Sequence, residues 1–341
     1  MSVSDPVLYG GFALVVAILL AIDLFVVQRN THEVSIKEAG IWSAIWIGVS
    51  ILFGLFITRL HEGDPGSNVT LDFFTGYVIE KSLSVDNVFL FVVIFGALNV
   101  PKEFQHRVLY YGVLGAIVMR TVLIFAGAAL IERFSFLLIV FGVFLLYTAY
   151  KTWTQRDDHP DIADSKLLKR VRRYFPATTE YHGDKFFVRQ DGKRLATPLF
   201  IVLVLVEFTD LIFAMDSIPA IFAVTQDPFI VLTSNILAIL GLRSLYFLLA
   251  GVADRLRYLK AGLALILGYV GLKIIAEQFE GLPHPSPLLS LGIVMGILAV
   301  TIVLSLLAGP PKEGEQVPSG IGDVFRSDRK REQEREGSDK G

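Results

Sequence analysis

The 341-residue chain is 53% hydrophobic and 19% charged, with a mean hydropathy of +0.58, whereas soluble domains carry about a quarter charged residues. A soluble fold of this length could not bury so much Leu, Ile, Val and Phe, so the composition excludes an ordinary cytosolic enzyme, a disordered chain and a fibrous repeat, and calls for a lipid bilayer. The 31 basic and 33 acidic residues nearly cancel, which leaves no case for a nucleic-acid partner, and the absence of cysteine excludes disulfides and thiolate metal sites.

Nine apolar stretches read as membrane-spanning helices: 7–27, 41–60, 71–98, 107–130, 134–151, 198–224, 229–252, 259–279 and 287–308. The first is not a cleavable signal, because residues 1–10 hold no Lys or Arg and the span ends in Gln28-Arg29 without a small-residue cleavage site. The expectation is an all-α integral membrane protein with two N-terminal helices in 1–60, a three-helix unit in 61–151, a basic connection over 152–196, a second three-helix unit in 197–279, a last helix in 280–308 and a disordered tail over 309–341.

Charge orients this arrangement. Residues 151–196 hold eleven Lys and Arg, so the positive-inside rule keeps them in the cytoplasm. Alternation then puts Arg29 and Lys37, Lys102 and Arg107, Arg255, Arg257 and Lys260, and the basic tail on the same side, with the N-terminus outside and the C-terminus inside. His61, Asp227 and Glu277 fall on the outer side. Within the connection, 186–188 and 194–196 flank Asp191-Gly192, the pattern of a short β-hairpin on a type I′ turn.

Two charged spans resemble each other. Glu80 to Asn87 can be laid on Asp210 to Ser217 at an offset of 130, with carboxylates six apart and then a small polar residue. Arg120 matches Arg243 at an offset of 123, and Tyr147 and Lys151 match Tyr269 and Lys273 at 122. Each unit holds three spans, so parity turns the second upside down relative to the first: an inverted-topology repeat, which in transporters places substrate near the midplane.

Glu80, Asp86, Glu207, Asp210 and Asp216, with Asp23 in the first span, lie where an ionisable group costs several kcal/mol unless it is paired or faces a polar cavity. The spans offer only Lys81, Arg120 and Arg243 against these six acids, so pairing leaves about three negative charges for cations or protons. Asp23 reads as the most structural of the six, while Arg120 and Arg243 read as neutralising acids or bracing the repeat. Six helical residues turn about 600°, so Glu80 and Asp86 point about 120° apart and one straight helix cannot aim both at one ion. Either the two helices serve separate subsites, or they are interrupted near Ser84 and Ala214, where Pro219 would free the carbonyl of Met215. The oxygens of Asp86, Asn87, Asp210, Asp216 and Ser217 suit Mn, Mg or Ca, and the lack of intramembrane His argues against Zn or Cu. The histidines, His61, His106 and His284 among them, read as surface residues.

The strings Glu-Lys-Ser-Leu-Ser-Val-Asp-Asn at 80–87 and Val-Glu-Phe-Thr-Asp-Leu-Ile-Phe-Ala-Met-Asp-Ser-Ile-Pro at 206–219 resemble the two signature segments of the TerC family, over roughly residues 7–308. The resemblance implies a multi-pass protein of the inner membrane connected with manganese export, with metal supply to exported enzymes, or with tellurium resistance. It assigns the acidic motif positions to Glu80, Asp86, Glu207, Asp210 and Asp216.

The leading expectation is therefore a secondary exporter of divalent cations, Mn(II) first, working by alternating access with proton exchange. In this reading Asp86 and Asp216 hold the metal, Glu80 and Asp210 exchange protons, and Glu207 lies on the entry path. The alternative is a non-transporting scaffold or a metal-delivery partner for exported proteins. An enzyme is disfavoured, because no His-metal motif, nucleophile elbow or phosphate loop is present, and no catalytic cofactor is expected.

Overall fold

The computed structural model describes residues 6–23, 36–61, 68–134, 136–154, 178, 181–190, 193–250, 258–279 and 285–308, with the side chains of Ile36, Asp86, Ala97 and Lys193 outside that set. Its helices are α1 (Pro6–Ile22), α2 (Ile36–Leu60), α3 (Val69–Ala97), α4 (Lys102–Arg133), α5 (Leu137–Thr154), α6 (Pro198–Phe222), α7 (Pro228–Leu240), α8 (Leu242–Ala250), α9 (Leu259–Ala276) and α10 (Pro287–Ala308). Strands β1 (Phe187–Gln190) and β2 (Lys193–Ala196) pair antiparallel, Phe187 opposite Ala196 and Gln190 opposite Lys193, which is the expected hairpin. Its turn residues Asp191 and Gly192, residues 155–177 and 179–180 of the basic connection, His284 and the 309–341 tail lie outside the described residues.

Local chemistry sets the helix starts. The side chain of Asn68 accepts from the amide of Leu71 at 3.1 Å and caps α3. Asp227 caps α7 by accepting from Phe229 at 2.9 Å, with Pro228 in the first turn, where its missing N–H costs nothing. Asn99, in the left-handed region at φ +49°, makes the tight turn from α3 into α4, and Asn tolerates that conformation.

Among the described residues six helices are long and apolar enough to cross a membrane, and a seventh candidate is the pair α7 and α8, bent by 42° at Gly241. The difference from nine apolar stretches has a plain cause. Helix α3, at 29 residues and about 43 Å long, carries Glu80, Lys81 and Asp86 in its middle, and α1 extends for only 17 residues. Of the two alternatives, interruption near Ser84 and Ala214 is not what the structure has: α3 and α6 run unbroken, α6 continuing through Pro219. Pro219 stands one turn from the end of α6, where few bonds remain to be lost.

Helix α3 packs on α6, α7 and α8, α6 packs on α4, and α5 packs along α9. The α5–α9 contact is backbone-close: a Cβ at Gly142 or at Gly271 would lie 3.0 Å from the other's carbonyl oxygen. Buried apolar side chains form two layers. One joins Ile79 and Leu83 of α3 to Ile124, Ala214 and Ile218, and the other joins Val88 and Phe91 of α3 to Val113, Val206 and Leu242. Along α4 and α6, Arg120 and Asp210 fall in the gap between those layers.

Candidate functional site: a buried belt of charge on three helices

Arg120 is fully buried in the middle of α4 and reaches the acids of two other helices. Its Nε and Nη2 donate to the two oxygens of Asp210 on α6 at 3.0 and 2.8 Å, a bidentate fork. Its Nη1 donates to Glu80 on α3, and also to Ser217 Oγ at 3.3 Å and Asn235 Oδ1 at 3.4 Å. Asn235, on α7, closes the ring by donating from Nδ2 to the other oxygen of Glu80 at 3.0 Å. Glu80, Asp210 and Ser217 thus meet around one guanidinium. Both carboxylates are buried, so their pairing with a fixed cation is what makes this position tolerable inside an apolar helix bundle.

The other expected residues are distributed around this centre. Asn87 lies two turns along α3 from Glu80, 1% exposed, and both ends of its amide lack a partner among the described residues, as does the buried hydroxyl of Ser84 one turn before it. Asp86 is on α3 beside Asn87, with its side chain outside the described residues. Asp216 is half-buried on α6 and accepts from Thr148 of α5 at 3.0 Å. Glu207, half-buried one turn before Asp210, lies over Gly115 of α4, where any Cβ would collide with its carboxylate. Met215 is 57% exposed and turned away from the belt. Among the described residues no three His, Asp or Glu side chains converge as a ready metal site.

Asp23 pairs with Arg243 of α8, apart from the Arg120 centre. Lys81 donates from Nζ to the carbonyl of Ala238 at 3.1 Å. That carbonyl belongs to the last turn of α7, which the bend at Gly241 leaves short of an intrahelical donor, so Lys81 caps a broken helix rather than neutralising an acid by contact.

Sequence reasoning missed Asn235 and misread His61. Asn235 was legible only as an amide inside the apolar run 229–240, a placement that is costly unless it is hydrogen-bonded. His61 is 2% exposed, not a surface residue: its Nε2 meets Oδ2 of Asp227 and its ring stands edge-on to Phe229 at 5.3 Å. The pair ties the end of α2 to the capping residue of α7.

A family model for integral membrane proteins of the TerC family matches residues 66–313, which include α3 to α10 and the whole charged belt. The chain belongs to the TerC family. It is accordingly a multi-pass integral membrane protein. Among TerC relatives, the Escherichia coli K12 protein named "Putative membrane-bound redox modulator Alx" is 48% identical over 309 residues, 89% of this chain and 95% of that one. An uncharacterized membrane protein of Myxococcus xanthus is 48% identical over 306 residues, 90% and 94% of the two chains. One from Rickettsia bellii is 40% identical over 296 residues, 87% and 96%. No solved structure matches the chain.

Proposed function

We propose that this TerC protein is a carrier of divalent cations and not an enzyme, exporting Mn(II) from the cytoplasm across the inner membrane by alternating access in exchange for protons. The side chain of Asn87 is the observation that carries the reading. Among the described residues neither end of this buried amide is hydrogen-bonded, which is rare in a folded protein and leaves both ends open to a ligand. It stands on the same helix face as Glu80 and Ser84 and next to Asp86, a set of oxygen ligands of the kind hard cations take. Asp210, Asp216, Ser217 and Glu207 add oxygens from α6. Manganese, rather than Ca or Mg, comes from the family resemblance, and an arriving dication expels protons from clustered carboxylates.

The finer architecture belongs to the same proposal. Nine crossings are supported by what the helix ends touch. At one end of α3, Asp72 shares a region with Asp227 and Lys273, and beyond its other end the carbonyl of Leu98 accepts from Tyr181 at 2.8 Å. Tyr9 of α1 packs on Phe229 at 5.4 Å while Asp23 reaches Arg243, so α1 also traverses the bundle. The inverted repeat is supported by matched elements: α5 and α9 are both 18 residues long and start 122 residues apart, at Leu137 and Leu259. Exchanging the two units maps α3 on α7 and α8 onto α6 on α4.

The test is flux. Purified protein in proteoliposomes should move Mn(II) and acidify or alkalinise the lumen in step, and Asp216→Asn should lose that flux while accumulating in the membrane. Protein that moves no dication in either direction, or full transport by Asp216→Asn and Asp86→Asn, would overturn the proposal.

A further inference from the structure

We infer that Arg120 is a tethered competitor for the cation site: its guanidinium occupies the position where Glu80, Asp210, Ser217 and Asn235 would hold a divalent cation, and it withdraws when one binds. This rests on the carrier reading above and adds to it the Arg120 centre, two turns along α3 from Asn87, as the position that makes the path selective.

The geometry around Nη1 is the first ground. Glu80 Oε1, Ser217 Oγ and Asn235 Oδ1 converge on that one nitrogen from α3, α6 and α7, with the Ser217 and Asn235 bonds long at 3.3 and 3.4 Å. Three oxygens from three helices around one positive centre are the hard, mixed charged and neutral set that an alkaline-earth or manganese ion takes. Asn235 becomes a ligand in this account, a role that neither signature segment contains. The second ground is occupancy. All four carboxylate oxygens of Glu80 and Asp210 already accept bonds, three from Arg120 and one from Asn235, so a cation cannot use this pair while the fork is in place.

Charge supplies the third ground. One guanidinium faces two carboxylates, so the buried pair keeps one formal negative charge in excess over Arg120. A dication cancels both charges and a monovalent ion does no better than the arginine it must displace. The resident side chain therefore screens out monovalent cations, which gain nothing by replacing a bidentate, pre-organised partner. Because Arg120 is carried on α4 while its partners are on α3, α6 and α7, its departure also removes the polar ties from α4 to the other three helices. Cation entry and helix movement are thereby the same event.

Mn(II) binding to the purified full-length protein, measured by calorimetry, tests this with Arg120→Lys and Arg120→Ala. Lysine keeps the charge but not the fork, so Arg120→Lys should bind Mn(II) about tenfold more tightly than wild type, the equivalent of losing one charge-assisted hydrogen bond from the competitor. Arg120→Ala should bind more tightly still, and millimolar guanidinium should weaken that binding competitively while urea, its neutral isostere, does not. If Arg120→Ala does not accumulate, Arg120→Lys alone decides. Equal Mn(II) affinity in wild type and Arg120→Lys, or guanidinium without effect on Arg120→Ala, would overturn the inference and leave the carrier reading intact. A wild-type protein that binds no dication would instead remove the carrier reading itself.

Discussion

His61 and Asp227 meet across 166 residues of sequence, and the contact is one of two jobs that Asp227 performs. Its Oδ1 caps α7 and its Oδ2 faces the imidazole, both buried. Substituting His61→Phe keeps a ring against Phe229 but leaves Oδ2 with no donor, a loss of about 1–3 kcal/mol for a buried acceptor. The expected outcome is a lower unfolding temperature in detergent for His61→Phe and no additional loss when Asp227→Asn is combined with it; equal stability of wild type and His61→Phe would contradict the pairing. At this scale the burial of charge was legible and the partners of each charged group were not. A carboxylate or guanidinium in an apolar span is conspicuous because its burial is costly, so Glu80, Arg120 and Asp210 stand out in the sequence. Nothing local says that Arg120 lies between residues 40 before it and 90 after it in the chain. His61 was misread for the converse reason: its position at a span end is also where surface residues lie, and only the fold brings Asp227 to it.

Helix breaks follow packing more than composition. Pro219 is the strongest local breaker in the second charged span, yet α6 continues through it, while the bend falls at Gly241 in an otherwise apolar run. Gly241 is where Trp46 and the Lys81 ammonium press closest, a Cβ there falling 3.1 Å from Trp46 Cβ and 3.0 Å from Lys81 Nζ. The bend is thus held from outside by Lys81 capping Ala238, a contact 157 residues distant that no window of sequence contains. The α5–α9 crossing gives a sharper test at the same scale. Gly142→Leu places a side chain against Ile274, Ile275 and the Gly271 carbonyl, so overpacking should cost about 1–3 kcal/mol or more. Gly292→Ala on α10 meets nothing within 4 Å and should be neutral or more stable by up to about 1 kcal/mol through helix propensity alone. Thermal unfolding of the two variants should separate them in that order, and equal losses would mean that the glycines at the crossing do not set its spacing.

At the scale of the whole molecule, the alternation of charge orders the helix ends into two sets, and the contacts fall within sets rather than across them. Arg107 pairs with Asp184 and Tyr246 with Gln105, all on the side that basic residues mark, while His61 pairs with Asp227 and Lys273 with the carbonyl of Ala223 on the other. Which helix ends lie together is the part a sequence can address, because lipid forces every polar connection to one surface or the other, leaving a single binary choice per span. Which set faces the cytoplasm rests on the basic connection alone, so it is the point to test. The hairpin residue Arg194 and Gln278, beyond the end of α9, are both exposed, and the native chain has no cysteine to give background. Arg194→Cys should react with a membrane-impermeant maleimide only in inside-out vesicles and Gln278→Cys only in intact cells. Labelling of both from the same side would require an even number of crossings between them where the proposed arrangement has three, α6, the α7–α8 pair and α9, and would remove the inverted repeat together with the nine-crossing arrangement on which it depends.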